Sequence, residues 1–488
     1  MRNFFLGLLI VGLLITLVVL TRAFLHTPES TQEAAPVDIR LDAPAIAERL
    51  SAAIRFRTVS HQQPEDFEAD QFTGFIDWVK ASYPEVNAAL PLTMAGDYTL
   101  LYRWEGSDPA LKPVLITGHY DVVPVIPGTE TRWEQPPYAG VIKDDVIWGR
   151  GALDDKSAVV AQLEAATELL KSGFKPARSI YFSFGHDEEV GGGRGAASVV
   201  ELLKAQGVQL AWSLDEGSFL FDGLLPGVSA RTATINVAEK GSLTLQIVAT
   251  GAGGHSSMPP KQTAVGVLAQ AITALEEHPV PGGLSGLSGT MFDSISRHMS
   301  FGYKVLFANQ WLFGGVLEDQ LSNSTFGNAM LRTTTAPTML SGSVKTNVLP
   351  IEAIATVNFR IHPQDTTQSV LAHVKSVVEN DQVTVRGDPE KGLDASSVSD
   401  WNAAGFGIIA QAIRETNEGV VIAPGLMIAG SDTRHYGQIA DDSYRFNPMV
   451  VTQSDLTGFH GTNEKIAVDN LANGVRTYIQ IIRHAGEQ

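Results

Sequence analysis

The sequence predicts an α/β protein with a mainly parallel central sheet, an inserted α+β layer, and one apolar helix ahead of both. Three observations carry this. Between about residues 45 and 215, short apolar strands alternate with amphipathic helices, the pattern of a parallel sheet covered on both faces. From about residue 237 the strands alternate apolar and polar instead, as in a sheet with one solvated face. Residues 4–20, FFLGLLIVGLLITLVVL, carry no charge and sit between Arg2 and Arg22.

Taken in order, that apolar run is at the long end for a secretory signal, whose core spans about 7–15 residues, and close to the ~20 that a spanning helix uses. No clean small-x-small cleavage site follows it in Thr21-Arg22-Ala23-Phe24-Leu25. Residues 1–25 therefore read as an uncleaved anchor in preference to a signal. The flanking charges are nearly balanced and orient it weakly; the simplest assignment is a single pass with the large domain outside the cytoplasm, periplasmic or extracellular, or secreted if the segment is cleaved. Residues 26–40, rich in Pro, Glu, Ser, Thr and Ala, read as a tether.

Helices are expected over 45–53, where Pro44 suits a start, and over 72–81, 157–171 and 197–205. Strands are expected over 114–117, 179–184 and 211–214, each running into an acidic or histidine-bearing turn. In the inserted layer, strands are expected over 243–250, 354–361 and 383–385, and helices over 263–275 and 369–379. The apolar, Gly-rich stretch 281–337 reads as core, or more sharply as an apolar wall of a substrate pocket. There is no internal repeat.

The chain has 488 residues, too long for one core. Its net charge of −18 argues against nucleic acid or anionic lipid as the main partner. It contains no cysteine, which excludes disulfides, thiolate metal sites and a cysteine nucleophile. A metal must then use His, Asp and Glu.

Those residue types recur at strand ends, where ligands of open α/β sheets gather. His119 and Asp121, two apart, share a face, so Asp121 can orient the imidazole while its other nitrogen binds a cation; alone, the pair reads as a local turn. Asp154 can bridge two cations, whereas Asp155, just before a helix, reads as its N-cap. Glu188 and Glu189 are adjacent carboxylates that repel unless a cation or proton relieves them. One can bind metal while the other handles protons. Asp215 and Glu216 repeat the theme, with Asp215 nearer the strand end and Glu216 its alternative. His460 offers a last imidazole.

In order, GHYDVVP, WGRGALDDK, HDEEVGG, LDEG, GAGGHSSMPP and FHGTNE resemble the M20 family of metallopeptidases, the aminoacylase-1 and carboxypeptidase group. Within it they look most like the anchored or secreted subgroup with carboxypeptidase S and the synthase/hydrolase of N-fatty-acyl amino acids. The resemblance implies a zinc-peptidase-like catalytic domain over 41–235 and 389–488, with a ferredoxin-like lid and dimerisation domain over 236–388. It implies two zinc ions per subunit, one held by His119, Asp154 and Asp215 (or Glu216), the other by Asp154, Glu189 and His460. It does not separate zinc from cobalt or manganese. Glu188 would be the general base, Asp121 would orient His119, and the Asp154–Asp155 bond would be cis. From the lid, His255 would reach a second subunit's site and steady an oxyanion, Arg360 would grip a substrate carboxylate, and Asn347 would lie near the substrate. The implied activity is cleavage of an amide bond in an N-acyl amino acid, with a long fatty acyl group favoured, or of a C-terminal bond in a short peptide. A non-catalytic tethered binding protein on the same fold is the rival, but it would have lost a ligand or the base, and every position is filled.

Overall fold

The computed structural model describes residues 1–28 and 34–487. Its central sheet runs in the order Leu92–Ala95, Thr99–Trp104, Ile180–Gly185, Val114–His119, Leu210–Asp215, Ala440–Arg445, Thr232–Glu239, Leu220–Phe221, Val450–Val451, with Val421–Met427 beside Thr232–Glu239. The middle four of these, from Ile180–Gly185 to Ala440–Arg445, are mutually parallel, and antiparallel neighbours flank them. Val114–His119 and Ile180–Gly185 are buried at every position. Uniform apolarity of this kind is what a strand covered on both faces requires. The expected strands and helices are present, with ends shifted by one to three residues. Helix Ala43–Ile54 starts earlier than expected because Asp42 caps it, accepting a 3.1 Å hydrogen bond from the Ala45 N–H.

Helix Lys156–Lys171 is buried along nearly its whole length. It lies between the sheet, helix Ala43–Ile54 and the C-terminal helix Val468–Glu487. The insert is a separate antiparallel sheet, ordered Thr334–Ser341, Glu352–Ile361, Gly241–Thr250, Val383–Arg386. Glu352–Ile361 alternates buried and less buried side chains. Its apolar face packs with helices Ala264–Glu277 and Thr367–Val377 in a second core. Thr366 and Ser369 cap the latter helix reciprocally.

The 281–337 stretch is core on one side only. It folds into helices Gly286–Ser296, Phe301–Phe307, Gln310–Ser322 and Thr325–Leu331. Leu287, Met291, Phe292, Ile295, Phe307 and Leu317 join the catalytic domain's core rather than that of the inserted sheet. Phe301, Tyr303, Trp311, Leu312, Val316 and Phe326 are exposed. A helix has two faces, and composition alone does not say which one finds a partner.

The N-terminal helix Arg2–Leu25 is long and apolar enough to cross a bilayer. Only Val19 and Ala23 are buried within it. Of the expected tether, residues 29–33 lie outside the described residues. Its described ends are fastened: the His26 ring bonds Ser296 at 2.8 Å, and the Val37 N–H donates to the Glu415 carbonyl at 3.1 Å.

Candidate metal centre

The parallel strands deliver their carboxyl ends to one place. His119 ends its strand directly beside Gly185, after which the chain turns through Glu188 and Glu189. His119 Nε2 is 3.1 Å from Asp154 Oδ1, and His460 Nε2 is 3.2 Å from Asp154 Oδ2 and 3.3 Å from a Glu189 oxygen. Asp154 thus faces one imidazole with each oxygen, the disposition a bridging carboxylate needs. His119, Asp154 and Glu189 offer ligand atoms all within 4.8 Å of one another. Glu188 approaches His119 Nε2 to 4.0 Å.

Asp121 does more than expected. The His119 Nδ1 lies 3.0 Å from the Asp121 main-chain carbonyl and 3.4 Å from its carboxylate. Donation to that carbonyl fixes the ring so that Nε2 faces Asp154. The Asp121 carboxylate meanwhile accepts the N–H groups of Glu188 and Glu189 at 3.2 and 3.1 Å, and the Ser60 hydroxyl at 2.6 Å. It therefore sets the position of the acidic turn as well as the imidazole.

The Asp154–Asp155 peptide is cis. Asp155 does not act as the expected N-cap, since its side chain makes no capping bond. It accepts instead from Asn447 Nδ2 at 2.8 Å and lies 3.4 Å from the His119 N–H. A cap needs the carboxylate over the first helical turn, and here it points into the sheet.

Asp215 and Glu216 separate clearly. One Asp215 oxygen accepts the Glu216 N–H at 2.9 Å, the other the Thr433 hydroxyl at 2.8 Å. Among the described residues, none gives the Glu216 carboxylate a hydrogen bond, and it feels Asp154 and Glu188.

Several contributors carry no role in the sequence reading, although two of them lie inside its motifs. Arg150 Nη1 donates to Glu464 Oε2 at 2.7 Å, both groups being buried. Glu464 Oε1 also accepts the N–H groups of Gly151, Leu153 and Asp154, while Arg150 Nη2 donates to the Gly461 carbonyl at 2.8 Å. The pair ties the Asp154 turn to the His460 turn. His460 itself holds φ 54°, a left-handed conformation that costs a non-glycine residue on the order of 1 kcal/mol. Asp432 packs on the acidic turn so closely that a Cβ on Gly192 would lie 1.9 Å from its Oδ1. The signal for these residues lay in GRG, TNE and GSDT (430–433), polar residues within Gly-rich turns near strand ends.

His255 and Asn347 are brought together in the insert: His255 pairs with Val348, and the Ser256 N–H donates to the Asn347 carbonyl at 3.2 Å. Arg360 sits on Glu352–Ile361 opposite Ser242 and Thr334. All three are exposed. Among the described residues, none bonds to the acidic cluster.

The centre carries more negative charge than it can balance. Burial disfavours the charge on Asp154, yet hydrogen bonds from His119 and His460 win and hold its carboxyl well below the usual range. Its own hydrogen bonds, accepted by Asp154 and then by Glu189, push His460 up to about 10. Burial drives Glu188 well above its ordinary value, opposed by His119 and reinforced by Asp432 and Glu189. Burial, then Asp154, raises Glu189; burial, then Asp154 and Glu188, raises Glu216 strongly. No lysine or arginine among the described residues pairs with these glutamates, and Glu189 Oε1 is buried without a partner. Imidazoles and carboxylates converging with unmet acceptor capacity fit hard or borderline divalent cations.

Such a centre, at the carboxyl edge of a parallel sheet, defines a metal-dependent hydrolase. The profile of Peptidase family M20/M25/M40 matches residues 115–484, and the chain belongs to that family. A probable carboxypeptidase S-like 2 of Dictyostelium discoideum is 37% identical over 98% of this chain and 92% of its own. An N-fatty-acyl-amino acid synthase/hydrolase of Mus musculus is 38% identical over 90% and 88%. Among solved structures, an M20 family metallo-carboxypeptidase from Sulfolobus solfataricus superposes with TM-score 0.61 at 16% identity, covering 90% of this chain and 99% of that one.

Two outcomes follow. Glu464→Ala leaves Arg150 buried and unpaired, so denaturant unfolding should show a loss of about 3–5 kcal/mol, and equilibrium dialysis a cation affinity about 10–100-fold weaker. Glu188, Glu189 and Glu216 have folded pKa values above the unfolded 4.5. The stability they lend is complete below that value and is lost as pH rises through the folded ones. Chelated protein should thus melt lower at pH 8 than at pH 5, and added divalent cation should raise the melting temperature more at pH 8, with protons released on binding.

Proposed function

We propose that this chain hydrolyses the amide bond of N-acyl amino acids, long-chain fatty acyl amino acids in particular. The observation that carries the reading is the Glu188 carboxyl, its proton affinity raised by burial, set 4.0 Å from His119 Nε2 at the rim of the cluster. The mouse relative named for N-fatty-acyl amino acids supports the substrate class. Cleavage of C-terminal peptide bonds is the second reading, favoured by the carboxypeptidase S-like relative.

Two divalent cations, zinc by preference, would sit between His119, Asp154 and Glu216 on one side and Asp154, Glu189 and His460 on the other. Each Asp215 oxygen already accepts one hydrogen bond but keeps a lone pair for a cation, so Asp215 stays the alternative to Glu216. When bound, such ions supply Lewis acidity toward a carbonyl and lower the pKa of water. Glu188 takes a proton from the attacking water and returns it to the leaving amine. Asp121 holds His119 and the Glu188–Glu189 turn in place. Arg360 pairs with the free carboxylate of the substrate, and Asn347 lies beside it. His255 reaches the site of a second copy and steadies the oxyanion.

The homodimer this requires is supported by the free edge of Thr334–Ser341, where Met339 and Leu340 are exposed. Open apolar edges invite pairing. Sedimentation should give twice the mass of one chain, and Leu340→Lys should return it to a monomer; a monomeric wild type would end this part of the reading. We further read the N-terminal helix as a single-pass anchor that holds the catalytic domain outside the cytoplasm.

The deciding experiment compares N-oleoyl-phenylalanine with Gly-Leu-type peptides on metal-replete protein. Faster cleavage of the acyl amino acid is expected; the reverse order would move the assignment to a carboxypeptidase, and no cleavage of either would end it. Glu188→Gln should keep its metal and lose about 10²–10⁴-fold in kcat. Glu216→Gln should lose one equivalent of metal, and Asp215→Asn should retain both.

A further inference from the structure

The N-terminal helix is not a free rod. Its last turns lie against helix Phe301–Phe307. Arg22 Nε donates to the Ala308 carbonyl at 2.9 Å, and the buried Asn309 donates through Nδ2 to the Val19 carbonyl at 3.0 Å. Residues 2–18 of the helix make no such contact and are exposed throughout. Seventeen residues at 1.5 Å each extend about 25 Å beyond this root, close to the ~30 Å of a bilayer's hydrocarbon.

The surface next to the root is apolar. Trp311 Nε1 donates at 3.3 Å to the Oδ1 of the same Asn309 that holds Val19. Trp311, Leu312 and Val316 are 57%, 46% and 59% exposed. With Gly315 they recur at the spacing of one helix face, and that face turns polar at Asp319 and Gln320. Phe301 and Tyr303 add exposed rings on the preceding helix. Arg22, Arg297 and Lys304 gather around His26 at the same level, Arg297 being paired with Asp293 at 2.8 Å. In a chain of net charge −18, this basic and aromatic rim stands out. Tryptophan rings and long basic side chains are the residues that settle at the boundary between acyl chains and headgroups.

We propose that helices Phe301–Phe307 and Gln310–Ser322 form a collar seated in the leaflet from which the N-terminal helix emerges, with Trp311, Leu312 and Val316 in contact with lipid. The proposal rests on reading that helix as an anchor. A helix fastened at its root by Asn309 and Arg22 lays the neighbouring apolar face onto whatever its free length enters. The collar also has a short route to the metal centre. Helix Gly286–Ser296 packs on strand Val421–Met427, and Met427 lies against Gly217, next to Glu216. The bilayer then fixes the height of the catalytic domain and presents amphiphilic substrates close to it.

The absence of cysteine makes site-directed labelling clean. Single substitutions Leu312→Cys and Val316→Cys in the full chain, carrying a nitroxide and reconstituted in phosphatidylcholine vesicles, report contact with oxygen, which partitions into lipid, or with a water-soluble nickel chelate. Leu9→Cys serves as the anchor reference, and Val344→Cys, 99% exposed on the insert, as the aqueous one. A shift of the 312 and 316 labels toward oxygen, matching Leu9, supports the collar. Nickel-dominated relaxation matching Val344 overturns it, and does so without touching the anchor if Leu9 remains in lipid. Lipid contact at 312 and 316 with Leu9 in water would remove the anchor reading and with it the collar seated by that helix; water at all three removes both.

Discussion

The buried Arg150–Glu464 pair is the constraint on which the centre depends. Asp154 and His460 lie more than 300 residues apart in the chain, yet His460 Nε2 comes within 3.2 Å of Asp154 Oδ2. Glu464 binds three N–H groups around the Asp154 turn, and Arg150 binds a carbonyl of the His460 turn. Each residue satisfies the loop that carries its partner. Neither charge could stay buried alone, so the two loops are positioned together or not at all. Asp121 plays the same part on the other side, binding the acidic turn with one carboxylate and the His119 ring with its carbonyl.

With its geometry held this way, the cluster is electrostatically unfinished. Acids crowd around two imidazoles, and only Asp154 is held as an anion by those neighbours. The fold accepts repulsion at the point where cations enter. Binding and folding free energy are therefore one quantity here. Glu188 differs from its neighbour Glu189 in having no imidazole bonded to it: His460 bonds Glu189, while Glu188 stands 4.0 Å from His119. That asymmetry is what the proposed division between Glu189 as ligand and Glu188 as base rests on.

The remaining functional surfaces sit on separate pieces of the molecule. The insert carries Arg360 on its four-stranded sheet and His255 and Asn347 at a separate two-stranded ribbon, all exposed. The helices between residues 286 and 331 share their core with the catalytic domain and their outer face with the root of the N-terminal helix.

Strand and helix positions were legible because burial on both faces demands unbroken apolar runs, and 114–117 and 179–184 have them. The metal-binding residue types were legible because only His, Asp and Glu were present to serve. Asp155 was misread because a carboxylate before a helix has two uses, and local sequence cannot tell a cap from a strut reaching Asn447. The hydrogen bond from Thr433 to Asp215, the bonds that Glu464 makes across two loops, and the outward turn of Trp311 were decided only by tertiary structure. Each depends on which distant group arrives at hydrogen-bonding distance. The sequence by itself determined which groups could carry the chemistry; their partners, and so their roles, came from loops hundreds of residues away.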